Sequence, residues 1–459
     1  MDTLISTLPG IDPPSPRTRR PTPPPHVNPP KREKKSQKER RRNVTKFVNQ
    51  PPDPLYYFED GLRKVHPYYF TFNTFCKERW RGMTLLEVFS SEFRDRPVEY
   101  YRDAIAAGTV YVSGTDRGSV LAASPRSGLD TIVKNGDMIS HTMHRHEPPV
   151  TGEPIGIVFE DDNIMAISKP AGVPVHPTGR YNYNSVTEIL RSMRPGFNPL
   201  PCNRLDRLTS GLMFIAKTRE GADAFMNQMQ ARTIRKQYVA RVKGEFPKED
   251  IVCDQPILQI SPKLGLNRVK ADGKHAKTLF RRLHYNAEKD YSIVECHPYT
   301  GRTHQLRVHL QFLGHPISND PIYCNRKVFG ANLGKGGEGD DEDIITRLNR
   351  MGKSEVAEAE AYHDEMMSDH ARKKAEKMTG GLCDICDTPL YSDPGPHELG
   401  IYLHAKRYAC EDGTWEYETS LPEWATATQP TNPYSLPVPC LTLPVGAGGG
   451  GWRGAEKGG

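Results

Sequence analysis

The sequence predicts an α+β fold with a mainly antiparallel mixed sheet and a central cleft. Two observations support this prediction. Between residues 150 and 325, short segments with the alternating pattern of strands are interleaved with longer segments that have helical periodicity. The chain has 459 residues, which is enough for one such domain of about 200 to 250 residues and smaller appendages.

The elements of this domain follow from the apolar pattern and from the turn residues between segments. The predicted helices are residues 185–193, 219–231 and 302–313, and the predicted strands are residues 155–159, 164–169, 212–217, 237–244, 277–284 and 291–297. A charged, partly disordered insertion at 326–398 contains an exposed helix predicted from 344 to 378. The domain resumes at 399–427, where a strand at 399–405 is expected to complete the sheet edge, with Trp415, Tyr417 and Trp424 packed behind it.

The flanking segments differ in composition. Residues 1–50 form a basic, Pro-rich tail and residues 428–459 a Pro- and Gly-rich tail, and both are expected to be disordered because they bury too little apolar surface. Residues 66–147 are predicted to form a small unit with helices at 84–93 and 97–107 and strands at 108–114 and 133–141. This unit resembles the small S4-like RNA-binding fold; the alternative is a unit that only packs against the larger domain.

Charge and cysteine usage indicate an intracellular protein. The net charge is +6, and residues 31–42 hold eight basic and two acidic residues, a run that binds polyanions, directs nuclear import, or belongs to a tail without function. Nine scattered cysteines and the absence of an opening apolar segment predict reduced thiols and a cytoplasmic or nuclear location. Asp2, Asp12 and four prolines within the first 20 residues argue against a mitochondrial presequence. No membrane partner is predicted, and a monomer is expected.

Residues 203–211 read Asn-Arg-Leu-Asp-Arg-Leu-Thr-Ser-Gly and place one acid, Asp206, in a polar turn before a hydrophobic strand. The flanking charges of Arg204 and Arg207 favour a free carboxylate there. Such a carboxylate is a candidate nucleophile or base. The alternative for this segment alone is a surface turn with local ion pairs.

A second motif, Thr-Gly-Arg-Thr-His-Gln-Leu-Arg-Val-His-Leu, occupies residues 300–310. A helix is predicted to begin after Gly301, with Arg302, His304 and Arg307 on polar faces that look into a cleft. Between the two motifs, residues 236–244 alternate like a strand, and Tyr238 in that segment is a candidate aromatic platform.

Together these three motifs resemble the RluA family of RNA pseudouridine synthases. Segments 167–177 and 273–278 fit the same family. The resemblance implies a pseudouridine synthase domain, an isomerase that needs no cofactor, and RNA as the partner. Segments 144–150 and 176–182 look most like those of the eukaryotic, fungal tRNA pseudouridine synthases that act on position 32 of the anticodon loop.

The resemblance also implies roles for single residues. Asp206 would be the essential carboxylate, attacking the ribose or the uracil ring after the base flips out of the RNA. Arg307 would pair with Asp206 through its guanidinium fork, Tyr238 would stack on the uracil, and Arg204 would fill the space that the base leaves.

Further residues are expected to contact the RNA. Arg302 and His304 are candidate RNA-binding residues, and Leu306 is either an apolar wall for the base or an ordinary helix-packing residue. Many family members have His where this chain has Asn203, so we expect Asn203 to orient the turn without transferring a proton.

Two alternatives stay open. The chain could be a non-catalytic RNA-binding or RNA-folding factor, or a synthase that acts on rRNA or another RNA. Separately, Cys383 and Cys386 have the C-x-x-C spacing of half a zinc site, with His397 and Cys410 as candidate completing ligands. Because a second close pair is lacking in the sequence, a loop with two reduced thiols is the favoured interpretation, and no metal site is predicted.

Overall fold

The structure is a computed structural model that describes residues 54, 56–93, 97–113, 125–262, 264–350, 378–391, 393–395 and 398–426. Predictions for the two tails and for most of the 344–378 helix fall outside these residues. The described residues form two compact units, Thr71–His141 and the remainder before and after it. In the part of the chain described, no helix combines the length and apolar character needed to cross a membrane.

The helices and strands are as follows. The helices are α1 (Leu85–Glu92), α2 (Val98–Ala106), α3 (Val186–Met193), α4 (Arg219–Ala231), α5 (Gln305–Phe312), α6 (Arg326–Phe329), α7 (Asp341–Arg350) and α8 (Glu423–Thr426), with 3-10 turns at Glu78–Trp80 and Lys335–Gly337. The strands are β1 (Tyr56–Glu59), β2 (Leu62–Val65), β3 (Tyr68–Phe75), β4 (Val110–Ser113), β5 (Met138–Arg145), β6 (Val150–Thr151), β7 (Gly156–Glu160), β8 (Ile164–Lys169), β9 (Leu200–Pro201), β10 (Ser210–Ala216), β11 (Ile234–Lys243), β12 (Ile251–Asp254), β13 (Ile257–Ser261), β14 (Leu266–Val269), β15 (Lys277–Asn286), β16 (Tyr291–Pro298), β17 (Met378–Leu382), β18 (Pro389–Tyr391), β19 (Leu403–Cys410) and β20 (Glu416–Glu418).

The smaller unit packs α1 and α2 on a sheet of order β3-β5-β4. Helix α1 begins at a capping box, because the Thr84 hydroxyl accepts the Glu87 backbone N–H and the Glu87 carboxylate accepts the Thr84 backbone N–H. Its buried face and that of α2 share one apolar cluster with Trp80. Both helices lie where the sequence predicts them, whereas the second strand lies at β5, later than the predicted 133–141. The S4-like resemblance stays a prediction.

The larger unit is built on a sheet of order β12-β15-β16-β11-β19-β10-β8-β7, with β9 and β20 paired at its side. Its strand pairs are antiparallel except for β10 with β19. Strands β8 and β10 are almost wholly buried, which explains their nearly continuous apolar sequences. Helices α3, α4 and α5 lie at the predicted positions to within three residues at each end. The α+β class with a mainly antiparallel sheet is confirmed.

The strand that follows the insertion occupies the middle of the sheet. It was expected at 399–405 on a sheet edge, but β19 spans Leu403–Cys410 and pairs with both β10 and β11. The predicted edge position was therefore wrong. Strands β10 and β11 follow each other in the chain, with α4 between them, but they do not pair with each other, and β19 lies between them in the sheet. Gly211 permits the close approach of β10 to β19, since a Cβ there would lie 2.2 Å from the Ala405 carbonyl oxygen.

The insertion contributes to the core as well. Helix α7 begins at Asp341, and its Ile344 and Leu348 are buried in a cluster with Val328 and Phe329. The prediction of a solvent-exposed helix was therefore wrong for this first part. The apolar stripe is short, because it consists of Ile344 and Leu348 with the partly buried Ile345 beside them, and the surrounding residues are mostly charged.

Candidate active site

A buried lysine supports the turn that carries Asp206. The Lys169 Nζ atom donates to the carbonyl oxygens of Pro170 at 2.9 Å, Val173 at 2.9 Å and Arg207 at 3.1 Å. An ammonium group has three donors and no acceptor, so these carbonyls satisfy it completely. Burial, together with the charge of Arg207, lowers the pKa of Lys169 to about 7. Lys169 lies within segment 167–177, and its role was not predicted from the sequence.

We expect Lys169→Met to destabilise the turn, because it removes the donor to the Pro170 and Val173 carbonyl oxygens inside the protein, while the Arg207 carbonyl keeps the Gly172 N–H at 2.8 Å. The free energy of unfolding should fall by about 1–3 kcal/mol or more, as for other buried groups that lose their partners. Urea denaturation monitored by fluorescence measures this change. Lys406→Met is the control, because Lys406 has a 3.6 Å surface ion pair with Glu418 and should change stability little. Equal effects of the two substitutions would contradict the role of Lys169.

Arg307 links Asp206 to a second acid, Asp320. Its Nε and Nη2 atoms donate to the two Asp320 carboxylate oxygens at 2.6 and 2.9 Å, while Nη1 donates to Asp206 Oδ2 at 3.2 Å. The Arg307 and Asp320 side chains are 4% and 0% exposed, whereas that of Asp206 is 33% exposed. The expected contact between Arg307 and Asp206 is present, but the guanidinium fork binds Asp320, so the expected geometry was wrong.

Charge complementarity makes this buried pair ionic. Burial alone would lower the pKa of Arg307, yet Asp320 and Asp206 raise it above its ordinary value. Burial would likewise raise the pKa of Asp320, but Arg307 and the backbone N–H groups of Tyr323 and Ile322 lower it. The result is a fixed cation that presents one N–H to the exposed carboxylate of Asp206.

His304 is the second neighbour of the Asp206 carboxylate, with Nε2 at 3.6 Å from Oδ2. Its Nδ1 lies 3.0 Å from the Tyr323 hydroxyl, which accepts the Asn267 backbone N–H at 3.1 Å. The Tyr323 hydroxyl and His304 Nδ1 thus share one hydrogen bond, and Nε2 is the ring nitrogen that faces Asp206. Burial and the charge of Arg307 lower the pKa of His304 to about 4, so the ring is neutral at physiological pH.

Tyr238 lies on β11 with its hydroxyl 2.6 Å from the hydroxyl of Tyr408 on β19. Burial raises the pKa of Tyr238 well above its ordinary value, with further contributions from Tyr408 and from the charge of Asp206. Asn203 completes this connection, because its Nδ2 donates to the Tyr408 hydroxyl at 3.4 Å and its Oδ1 accepts the Phe214 backbone N–H at 2.8 Å. Tyr238 is therefore a neutral phenol whose ring is held in place next to the Asp206 turn.

Three further predicted residues make no hydrogen bond to this group in the described part of the chain. Arg204 is exposed at the start of the Asp206 turn. Leu306 is 6% exposed and belongs to the apolar cluster of Leu310 and Leu403, against which Tyr238 also packs, so this contact fits both interpretations of Leu306. Arg302 donates through Nε to the His275 carbonyl oxygen at 2.9 Å and lines a cavity of about 230 Å³. Three cationic residues line that cavity: Arg232, Lys236 and Arg302.

The segment from Asp320 to Tyr323 follows the second motif, but no role in the site was predicted for Asp320, Tyr323 or Tyr408. Asp320 and Tyr323 stand together 13 to 16 residues after Arg307 in a segment without periodicity. An acid shortly after a helix that carries a buried Arg is the signal that could have found Asp320. Tyr408 lies on the unexpected central strand β19 and could not have been placed without the sheet order.

Known proteins match this chain over most of its length. Residues 163–312 match the family described as RNA pseudouridylate synthase. The tRNA pseudouridine(32) synthase, mitochondrial, of Saccharomyces cerevisiae is 48% identical over 81% of this chain and 79% of its own length. The chain belongs to the RNA pseudouridylate synthase family. It is thus an isomerase of the RluA type, as its motifs indicated.

Other members of the family differ in their named targets. The tRNA pseudouridine(31) synthase of Saccharomyces cerevisiae is 36% identical over 80% of this chain and 96% of its own length. The ribosomal large subunit pseudouridine synthase C of Vibrio cholerae is 38% identical over 37% of this chain and 53% of its own length. The name of the position-32 relative places that protein in mitochondria, and this finding overturns the cytoplasmic or nuclear location expected for this chain.

Proposed function

We propose that the chain isomerises uridine to pseudouridine at position 32 of tRNA, with mitochondrial tRNA as its substrate. The observation that supports a catalytic role is the Asp206 carboxylate, which is partly exposed while its partner Arg307 is buried and fixed by Asp320. An RNA-folding factor has no need for a carboxylate held towards a polyanion, because a negative charge opposes phosphate binding. The 48% identity to the yeast position-32 enzyme supports the choice of target.

In the proposed reaction, Asp206 attacks the ribose or the uracil ring of the flipped nucleotide, and the N-glycosidic bond breaks. The base then turns and carbon 5 bonds to the ribose, while the bond between Asp206 and the nucleotide breaks and its electron pair returns to the carboxylate. The carbon 5 proton is lost and N1 gains a proton. Arg307 donates an N–H to the Asp206 carboxylate at 3.2 Å, and the neutral His304 ring lies 3.6 Å from the same oxygen, so the two residues restrict its position. No step requires a redox change or a cofactor.

The base itself needs a flat surface and a route out of the RNA. Tyr238 is suited to stack on the uracil, because its hydroxyl is tied to Tyr408 and its ring orientation is set. Arg204, exposed at the same turn, is suited to enter the space that the base leaves. The cavity lined by Arg232, Lys236 and Arg302 includes residues 298–302, which directly precede His304 in the chain. Its positive charge is suited to hold the RNA backbone.

Deletion of the gene should remove pseudouridine from position 32 of mitochondrial tRNA and leave cytosolic tRNA unchanged. A chemical map of pseudouridine in both tRNA pools, from cells with and without the protein, measures this. Re-expression of the wild-type chain should restore the modification, and the Asp206→Asn variant should not. Loss at position 31, in cytosolic tRNA or in rRNA would contradict the proposed substrate but support a synthase. If the Asp206→Asn variant also restores the pseudouridine, the result would support an RNA-folding factor instead.

A further inference from the structure

Four side chains with metal-binding atoms meet at a place remote in sequence from the Asp206 turn. His144 and His146 lie at the end of β5, and Cys383 and Cys386 lie in the turn between β17 and β18. The His144 Nδ1 atom is 3.5 Å from each cysteine Sγ, and the His146 Nε2 atom is 3.4 Å from Cys386 Sγ. All four ligand atoms lie within 4.8 Å of one another.

These separations match tetrahedral coordination. With Zn–S bonds of about 2.3 Å and Zn–N bonds of about 2.0 Å, nitrogen and sulfur ligands of one zinc ion lie about 3.5 Å apart. Hydrogen bonding explains the arrangement less well, because His144 Nδ1 is at the same distance from two sulfur atoms and can form only one such bond as a donor or an acceptor. A shared cation satisfies all four atoms at once.

The hairpin that carries the cysteines is shaped to present both sulfur atoms to one point. Strands β17 and β18 pair antiparallel, and the Cys383 backbone N–H donates to the Thr388 carbonyl oxygen at 3.0 Å. The Asp387 N–H returns to the Cys383 carbonyl at 2.9 Å, and Asp387 adopts a left-handed conformation with φ of 51°. The Thr388 Oγ1 atom lies 3.1 Å from Cys386 Sγ, where its hydroxyl can donate to a thiolate.

We propose that His144, His146, Cys383 and Cys386 bind a structural Zn²⁺ ion. Two thiolates and two imidazoles form a closed set of four ligands, which is the composition of structural rather than catalytic zinc sites. The C-x-x-C pair was recognised in the sequence, with His397 and Cys410 as candidate further ligands, but the structure brings His144 and His146 to it. Cys410 is buried in β19 and lies outside the cluster, and His397 is outside the described residues.

The ion would join two segments that are 239 residues apart at His144 and Cys383. The residue after His146, at the end of β5, also binds the loop at 181–184, which lies next to the Asp206 turn. Glu147, which follows His146, accepts the backbone N–H groups of residues 182, 183 and 184 at 2.8, 3.0 and 3.0 Å. In that loop the Tyr181 ring lies 5.6 Å below the guanidinium of Arg207, the neighbour of Asp206. Zinc would thus stabilise the loop beside the active site without taking part in the reaction.

The full chain, purified without chelators, should contain about one zinc ion per molecule, as measured by elemental mass spectrometry. Replacement of the ion by Co²⁺ should give the absorption bands of tetrahedral coordination, together with a thiolate-to-cobalt charge-transfer band. Cys386→Ser should remove the metal and both sets of bands. Cys76→Ser is the matched control, because Cys76 is also a half-buried free cysteine but lies outside the cluster, and it should keep the metal.

A further measurement on the wild-type chain covers the case in which the serine variant fails to fold. Stripping the metal with a strong chelator should increase amide hydrogen exchange at 378–391 and at 179–184, while β8 and β10 stay protected. Zinc-free protein, metal retained by Cys386→Ser, a disulfide between Cys383 and Cys386 in the native protein, or exchange unchanged by chelation would each overturn the proposal. None of these readouts depends on the proposed RNA substrate.

Discussion

Replacing Asp206 with Asn is expected to abolish pseudouridine formation while RNA binding persists. The amide keeps the size of the side chain and an oxygen that can accept the Arg307 N–H now at 3.2 Å, so the turn should keep its structure. It removes the negative charge that the proposed attack on the nucleotide requires. We expect the rate to fall by about 10⁴-fold or more, as when other enzymes lose a central catalytic group.

The measurement is the pseudouridine content of a tRNA transcript incubated with each protein, together with the dissociation constant of the complex. Asp254→Asn is the matched control. Asp254 is also a partly exposed acid with a histidine and a cation as neighbours, His275 at 3.0 Å and Lys277 at 3.4 Å, and its variant should keep the rate within about twofold. Turnover by the Asp206→Asn variant at the wild-type rate would rule out the proposed role of this carboxylate.

The site residues that could be predicted from the sequence are those that belong to short continuous motifs. His304 and Arg307 were assigned to a cleft from their motif and the family resemblance paired Arg307 with Asp206; the structure places both side chains within 3.6 Å of the Asp206 carboxylate. The six strands and three helices predicted between residues 150 and 325 were found for the same reason, because apolar periodicity is a local property of the chain. The short strands β9, β12, β13 and β14 were not predicted.

The parts that could not be predicted depend on segments that meet only after folding. The Asp320 carboxylate accepts two hydrogen bonds from Arg307 because the segment after α5 lies against that helix. The apolar periodicity of the sequence does not predict this contact. Tyr408 reaches Tyr238 because β19 enters the middle of the sheet from beyond the insertion. The zinc cluster has the same character, since its two halves are close only in space.

Asp320→Asn is expected to be the most destabilising single substitution in the site. The Asp320 side chain is 0% exposed, and its loss of charge leaves the Arg307 cation buried without its principal partner. Removing one partner of a buried ion pair typically costs about 3–5 kcal/mol, because the remaining charge keeps its desolvation penalty. The catalytic rate should fall too, since Arg307 would no longer be held in the direction of Asp206.

Urea denaturation tests this expectation against a surface pair of the same geometry. Arg281 binds Asp250 through the same two-bond fork, with Nε and Nη2 at 2.9 and 2.7 Å from the carboxylate oxygens, but both side chains are about half exposed. Asp250→Asn should therefore have little effect on stability, because water replaces the lost contact. A similar change in unfolding free energy for the two variants would show that burial of the Arg307 pair carries no additional cost.

The pH dependence of stability gives an independent test of the same pair. Burial opposes ionisation of Asp320, but Arg307 and two backbone N–H groups outweigh it and lower the pKa of this carboxyl in the folded state. A carboxyl with a lowered folded pKa stabilises the protein above its unfolded pKa, and that contribution disappears as the pH falls through the folded pKa. Asp320→Asn lacks this titration, so its stability should decrease less steeply with acid than that of the wild type. Parallel acid profiles for the two proteins would mean that Asp320 is not the ionised partner of Arg307, and the orientation of Arg307 towards Asp206 would then need another cause.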